Sequence, residues 1–129
     1  MTEEMIDLTI EEFYEKYYLH DSAIEKIEYN AKNKKLKLEI DFCFWMQNRY
    51  NETAPKNGLI AVTFENVSMF EYKNHEFDSI LENLDTEIDH TEITEDKTSE
   101  IYIREYVYSD KDKFWWIRIK AENVNVEEI

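Results

Sequence analysis

Apolar and polar residues alternate along two runs near the C-terminus, Ile-Tyr-Ile-Arg-Glu-Tyr-Val-Tyr over 101–108 and Phe-Trp-Trp-Ile-Arg-Ile-Lys-Ala over 114–121. Successive side chains of a strand point to opposite faces. Alternation on both sides of the polar stretch Ser109-Asp110-Lys111-Asp112-Lys113 therefore predicts an antiparallel β-hairpin over 101–121. One face is aliphatic (Ile101, Ile103, Val107, Ile117, Ile119, with Trp115). The other is aromatic and cationic (Tyr102, Arg104, Tyr106, Tyr108, Phe114, Trp116, Arg118, Lys120). Glu105 is the odd residue of the aliphatic face, harmless if it lies near a strand end or beside a lysine.

A second clean alternation sets Leu36, Leu38, Ile40, Phe42 and Phe44 against Lys35, Lys37, Glu39, Asp41 and Cys43. It predicts a strand whose hairpin partner is the segment from Ala23 through Ile27 and Tyr29, across the polar turn Asn30–Lys34. Ile60, Val62 and Phe64 share one face of a strand over Leu59–Glu65, and Asn66 marks a bend before a continuation through Met69, Phe70 and Tyr72. Residues 86–95, rich in Thr, Glu and Asp, read as an exposed edge strand whose charges discourage edge-to-edge pairing. Val124 and Val126 suggest a last short strand.

Thr9-Ile10-Glu11-Glu12 has the form of a capping box, and Ile10, Phe13, Tyr14 and Tyr17 follow at helical spacing, which predicts a helix over about residues 10–18. Phe77, Ile80, Leu81 and Leu84 fit either a second short helix near residues 75–84 or a bent extended segment. Residues 46–58, holding the only proline and the only glycine, read as a long polar loop. The expected fold is α+β: a mainly antiparallel, curved or two-layered β-sheet with the N-terminal helix packed on it, in a single domain over residues 1–129. The helix is expected to lie across the aromatic face of the hairpin and bury it. The alternative leaves that face in solvent as a binding patch.

Composition narrows the functional classes. With 43% hydrophobic residues the chain can build a core despite its 35% charged content. No apolar run approaches the roughly 18–20 residues that span a bilayer. The acidic N-terminus, Met-Thr-Glu-Glu-Met, is unlike a secretory signal. The lone Cys43, inside a predicted strand, fits a buried thiol in a reducing compartment, so a cytoplasmic protein is expected. Lysine outnumbers arginine 12 to 3, and Asn, Ile and Tyr are abundant, the coding pattern of an A/T-rich bacterial genome. Thirty acidic residues face 15 basic ones, for a formal charge of −15. Such a surface repels nucleic acid and anionic lipid and attracts cationic partners; the bland reading is solubility alone.

Catalytic signals are weak. The pairs His20-Asp21, His75-Glu76 and Asp89-His90 are unsurprising in so acidic a chain, and no HxH, HExxH or Cys/His spacing occurs. His20-Asp21-Ser22 reads as a structural turn in which Asp21 or Ser22 accepts local backbone N–H bonds. Cys43 in mid-strand is poorly placed for a low-pKa thiolate, and a single glycine excludes GxSxG, P-loop and GxGxxG motifs. Asp110-Lys111-Asp112 lacks the glycine and distal glutamate of a calcium loop. No enzyme, cofactor or metal is expected.

Four stretches carry a resemblance: Leu19-His20-Asp21-Ser22 leading into Ile24 and Ile27, the strand Leu36–Phe44, the run Val62–Val67, and Phe114–Ile119. Together they resemble the small acidic proteins of bacterial toxin–immunity loci and uncharacterised bacterial domains of the same size and pattern. The resemblance implies a cytoplasmic, non-enzymatic immunity protein that blocks the active site of a cognate toxin, and it transfers no binding residue to this sequence. The expectation is an acidic module that binds a cationic protein, such as a toxin domain. Trp45 and Tyr50 beside the long loop would serve as aromatic anchors, and Glu92, Glu95 and Asp96 on the edge strand would supply charge. Two further readings stand beside it: a small-ligand or enzymatic pocket next to loop 46–58, and a structural domain that oligomerises through the aromatic face.

Overall fold

The computed structural model describes residues 5–43, 57–73, 80–82, 84–106 and 111–128. Within them the chain runs β1 (Met5–Leu8), α1 (Ile10–Lys16), β2 (Ala23–Asn30), β3 (Lys35–Cys43), β4 (Asn57–Glu65) and β5 (Met69–Lys73). There follow β6 (Ile80–Leu81), β7 (Thr86–Ile93), β8 (Ser99–Glu105), β9 (Lys113–Lys120) and β10 (Asn123–Glu128). All pairings are antiparallel and form two sheets, of order β1-β10-β4-β3-β2-β6 and β5-β9-β8-β7.

Alternation decides which faces meet. Across the first sheet, register aligns Tyr29, Leu36, Phe64, Val124 and Leu8 in one row, and Ile27, Leu38 and Val62 with Val126 in the next. Ile101, Ile103, Trp115, Ile117 and Ile119 project from the second sheet into the same hydrophobic cluster. One core therefore serves both sheets, and burial of this many aliphatic and aromatic side chains is the main stabilising contribution.

With only one glycine, the turns use other residues in the left-handed region. Asp21, Lys34, Asn66 and Lys97 have φ of 66°, 54°, 54° and 66°. Each sits at a chain reversal, where Asp and Asn tolerate this conformation and Lys does so at a cost of about 1–2 kcal/mol. In the β2–β3 turn the Asn30 side chain accepts the Asn33 N–H at 3.0 Å, which helps hold the reversal.

The two sheets are joined along β2 and β7. The Asp21 N–H donates to the Ile88 carbonyl at 3.1 Å, and the Ile88 N–H to the Ser22 carbonyl at 2.8 Å. Next along the strand a side chain takes over: the buried Thr86 hydroxyl accepts the Ile24 N–H at 3.0 Å and donates to the Ile24 carbonyl at 2.7 Å. Ser22, fully buried, accepts the Cys43 N–H at 3.0 Å, and the Cys43 thiol donates to the Asp21 carbonyl at 3.3 Å. The expected turn at His20-Asp21-Ser22 is present, with the Ser22 N–H bonded to the Leu19 carbonyl. The Ser22 side chain, however, reaches a distant strand rather than a local N–H.

At the N-terminus Thr9 and Glu12 form the capping box, each side chain accepting the other's backbone N–H. Phe13, fully buried, sets its ring edge-on to Phe64 at 6.1 Å, and Tyr17 meets Phe42 at 5.4 Å. Tyr14 hydrogen-bonds the buried Ser99 hydroxyl, and burial pushes its phenol well above the usual tyrosine value.

Several expectations are corrected. The helix stops at Lys16, and Tyr17 is already extended. Its side chains reach Phe64, Phe42 and Ser99 on the core side, so it does not cover the aromatic face of the hairpin. Covering the aromatic face would bury Arg104, Arg118 and Lys120, whose desolvation the apolar side chains of the helix would not offset. Ile80–Leu81 is a strand paired with Ile27 and Glu28, not the end of a helix over 75–84. Residues 74–79 and 83 lie outside the described residues. Asn57 and Gly58 belong to β4, opposite Cys43 and Phe42, rather than to loop 46–58. The strand β1 was not foreseen.

Replacing Thr86 by Val removes one hydroxyl that satisfies two buried backbone groups of Ile24. Urea denaturation should show a loss of about 1–3 kcal/mol; a loss below about 0.5 kcal/mol would mean that the seam does not depend on it. A second prediction concerns Glu65, which accepts from Asn123 at 2.8 Å and from Asn125, with Lys35 at 3.5 Å. The Asn123 bond first, then Lys35 and Asn125, hold its carboxyl below the usual 4.5 against the opposing effect of burial. A depressed carboxylate contributes stability that is fully present above pH 4.5 and lost as pH falls through the lowered native value. Glu65→Gln should therefore flatten the acid limb of the stability–pH curve, and an unchanged limb would discount this cluster.

Candidate protein-binding face

The hairpin β8–β9 divides its side chains as its alternation requires. Ile101, Ile103, Trp115, Ile117 and Ile119 are at most 1% exposed, whereas Phe114 on the opposite face is 59% exposed and Tyr106 is 39% exposed. Glu105 lies opposite Lys113 at the strand end and accepts the Trp115 indole N–H at 3.1 Å.

Register arranges the outward face in rows. Lys73, Trp116, Tyr102 and His90 stand opposite one another across β5, β9, β8 and β7. His90 stacks on Tyr102 at 4.1 Å and 11°, Tyr102 meets Trp116 at 6.0 Å, and the Lys73 ammonium lies 5.8 Å from the Trp116 ring. The neighbouring row is Glu71, Arg118, Glu100 and Glu92. In it Arg118 Nε lies 2.6 Å from the carboxylate of Glu100, itself only 6% exposed. On the other side, Phe114 and Arg104 lead to Glu87. The Arg104 guanidinium sits 5.2 Å from the Tyr106 ring and 5.8 Å from that of Phe114, and it pairs with Asp112.

His90 and Glu92 join these rows because β7 has a bulge between Ile88 and His90. The extra residue shifts the phase of alternation. Thr86 and Ile88 face inward before it and Thr91 and Ile93 after it, so His90 and Glu92 are turned outward beside Tyr102 and Glu100.

The expected site residues fall in different places. Trp45 and Tyr50 lie outside the described residues. Glu92 is exposed, 3.9 Å from His90 Nε2, and Glu95 is exposed in the β7–β8 turn. Asp96 organises that turn: it accepts from the hydroxyls of Thr94 and Thr98, and Lys120 lies 3.7 Å away. The two hydroxyl bonds, Thr94 first, hold its carboxyl below the usual 3.8. The row Trp116–Tyr102–His90 was not singled out as a site. Its signal was present in the aromatic outer positions of the two C-terminal runs, but His90 could be aligned with them only through the bulge.

Every arginine on this face has its own carboxylate. The β7 carboxylates of Glu87, Asp89 and Glu92 have no lysine or arginine at ion-pair distance among the described residues; Glu87 accepts from the Tyr106 hydroxyl at 2.8 Å, and Asp89 and Glu92 flank His90. By contrast, the outward face of the first sheet carries Lys26, Glu28, Lys37, Glu39, Thr63 and Glu65 and no aromatic row.

A cleft of about 440 Å³ lies across β2, β3 and β6, lined by Glu25, Lys26, Glu39, Glu82 and Leu84. Lys26 is within 4.0 Å of both Glu28 and Glu39. With one apolar side chain in its lining it lacks the greasy walls usual for small-molecule sites. No group of three or more His, Cys, Asp or Glu is placed to hold a metal ion among the described residues, and no helix among them is long and apolar enough to cross a membrane.

No family model, curated protein or solved structure matches this chain. The functional reading rests on the residues themselves.

Burial, followed by the charges of Glu100 and Glu92, pushes the Tyr102 phenol above its usual 10.0. In ¹³C-tyrosine NMR titrations, Glu92→Gln should lower the Tyr102 midpoint. An unchanged midpoint would show that the Glu92 carboxylate points away from the aromatic row.

Proposed function

We propose that this protein is a non-catalytic, acidic protein-binding module that neutralises a cationic partner, in the manner of a bacterial immunity protein acting on a toxin domain. The observation that carries this reading is the β7 edge. Glu87, Asp89, Glu92 and Glu95 lie together on or beside one strand with no lysine or arginine at ion-pair distance among the described residues, on a molecule with a formal charge of −15. An isolated excess of carboxylate contributes nothing to folding and is mutually repulsive, whereas a basic surface brought against it gains from every one of them. In this reading α1 packs on the sheet as a structural plug, Asp96 shapes the turn that presents Glu95, and Trp45 and Tyr50 remain proposed anchors.

Carboxylates at the rim of an interface chiefly raise the rate of encounter. Co-expression with a toxin domain encoded beside this protein should protect the host cell, and the purified pair should associate faster at low salt than at high salt. Glu92→Lys with Glu95→Lys should slow association about tenfold or more at low salt and flatten its salt dependence. Absence of both protection and low-salt binding would overturn the reading.

A further inference from the structure

We propose that the outward face of β7, β8 and β9 is the interface of this module, and that its occupant is an arginine-bearing segment of the partner protein lying across the row Trp116–Tyr102–His90. The inference rests on the protein-binding reading above and locates it.

Three observations carry it. The two sheets differ: only the second presents stacked aromatic rings outward, and Phe114, the most exposed large apolar side chain among the described residues, stands one row away. Tyrosine and tryptophan on a flat, ordered surface are the side chains that concentrate binding energy. Next, three basic side chains of the face are spent internally, Arg104 on Asp112, Arg118 on Glu100 and Lys120 on Asp96, and Lys73 lies over the Trp116 ring at the β5 end, so the charge left for a partner at the β7 end is that of the β7 carboxylates. Finally, the Trp116 indole N–H is shielded from solvent and has no hydrogen-bond partner among the described residues. Uncovered by a small shift of the side chains around it, it would donate to a main-chain carbonyl of a bound segment.

These features select the occupant. Lys73 and Arg104 already lie against aromatic rings here, which shows the kind of contact the face accepts. A guanidinium suits it better than an ammonium: it is planar, more weakly hydrated, and able to span two carboxylates while resting on an aromatic edge. A nucleic acid or an acidic peptide would meet Glu87, Asp89 and Glu92 with like charge and is disfavoured on the same face.

The test uses the full chain labelled with ¹⁵N and titrated with three synthetic peptides in which glycine alternates with arginine, lysine or glutamate. Trp115 and Trp116 are adjacent in sequence but on opposite faces, so their indole N–H signals form an internal control. The arginine peptide should shift the Trp116 indole signal saturably and leave that of Trp115 in place, with the lysine peptide weaker and the glutamate peptide inert. Tyr102→Ala and Trp116→Ala should each weaken binding tenfold or more. Should either fail to fold, Phe114→Ser at an exposed position repeats the test, with a weakening of threefold or more expected. Binding that stays within twofold in all these variants, or shifts spread evenly over both sheets, would overturn this interface while leaving the basic-partner reading in place. Failure of the arginine peptide to bind although a toxin domain is neutralised would equally remove this face as an arginine site. Failure of both would remove the functional reading itself.

Discussion

Two sheets that share one core must be brought edge to edge without stranding the backbone groups along the join. In this protein that constraint falls on β7. Its first half is bonded on one side to β8 and on the other to the start of β2, with the Thr86 hydroxyl standing in where the Ile24 N–H and carbonyl would otherwise lack a partner. Its second half pairs with β8 and must still return Thr91 and Ile93 to the core. The bulge at Asp89 reconciles the two halves, and the same extra residue turns His90 and Glu92 outward beside Tyr102 and Glu100. A requirement of closure thus produces the feature on which the proposed recognition depends.

The charge pattern has a similar logic. Fifteen excess negative charges favour solubility and oppose compaction through self-repulsion, so the carboxylates nearest the fold are met by donors. Glu65 takes two asparagine amides, Asp96 two threonine hydroxyls, Glu105 an indole N–H and Glu100 a guanidinium. Glu100 is buried while the Arg118 side chain is 35% exposed; a partly buried pair of this kind gains little net stability but penalises any register that separates it. On the β7 edge Glu87 is met by the Tyr106 hydroxyl, and Asp89 and Glu92 by the His90 ring, with no lysine or arginine at ion-pair distance among the described residues.

Strands with unbroken alternation were legible in the sequence: Leu36, Leu38, Ile40 and Phe42, then Ile60, Val62 and Phe64, and the C-terminal runs over residues 101–105 and 114–120 are strands on which Ile101, Ile103, Trp115, Ile117 and Ile119 are buried. Val107 and Tyr108 lie outside the described residues. The capping box at Thr9 was legible for the same reason, since its signal is local. Where phase breaks, reading failed or weakened. In β7 the bulge puts Ile88 and Ile93 five residues apart on one face, and a second irregularity in β2 buries both Ile24 and Ile27. Ile80 and Leu81 fit helical spacing, but a two-residue strand is set by its partner β2 and leaves no period of its own. The outward aromatic row was legible as a face and not as a site, because which strands stand side by side is decided by tertiary pairing.

Magnitudes separate the roles on that face. An exposed ion pair contributes about 0–1 kcal/mol once water and salt have screened it, and holding two long side chains in place costs entropy. Truncating a central aromatic anchor costs about 2 kcal/mol or more where the surrounding contacts exclude water. The β7 carboxylates, all solvent-facing, are therefore suited to drawing a basic surface in and orienting it. Trp116, Tyr102 and Phe114 are suited to keeping it. Because the rings are already stacked across neighbouring strands, little side-chain freedom remains to be lost on binding, and more of the contact energy survives as affinity. Under the proposed function, an acidic edge beside an ordered aromatic row would give fast capture and slow release from adjacent strands of one sheet, the pairing of properties that neutralising a toxic partner demands.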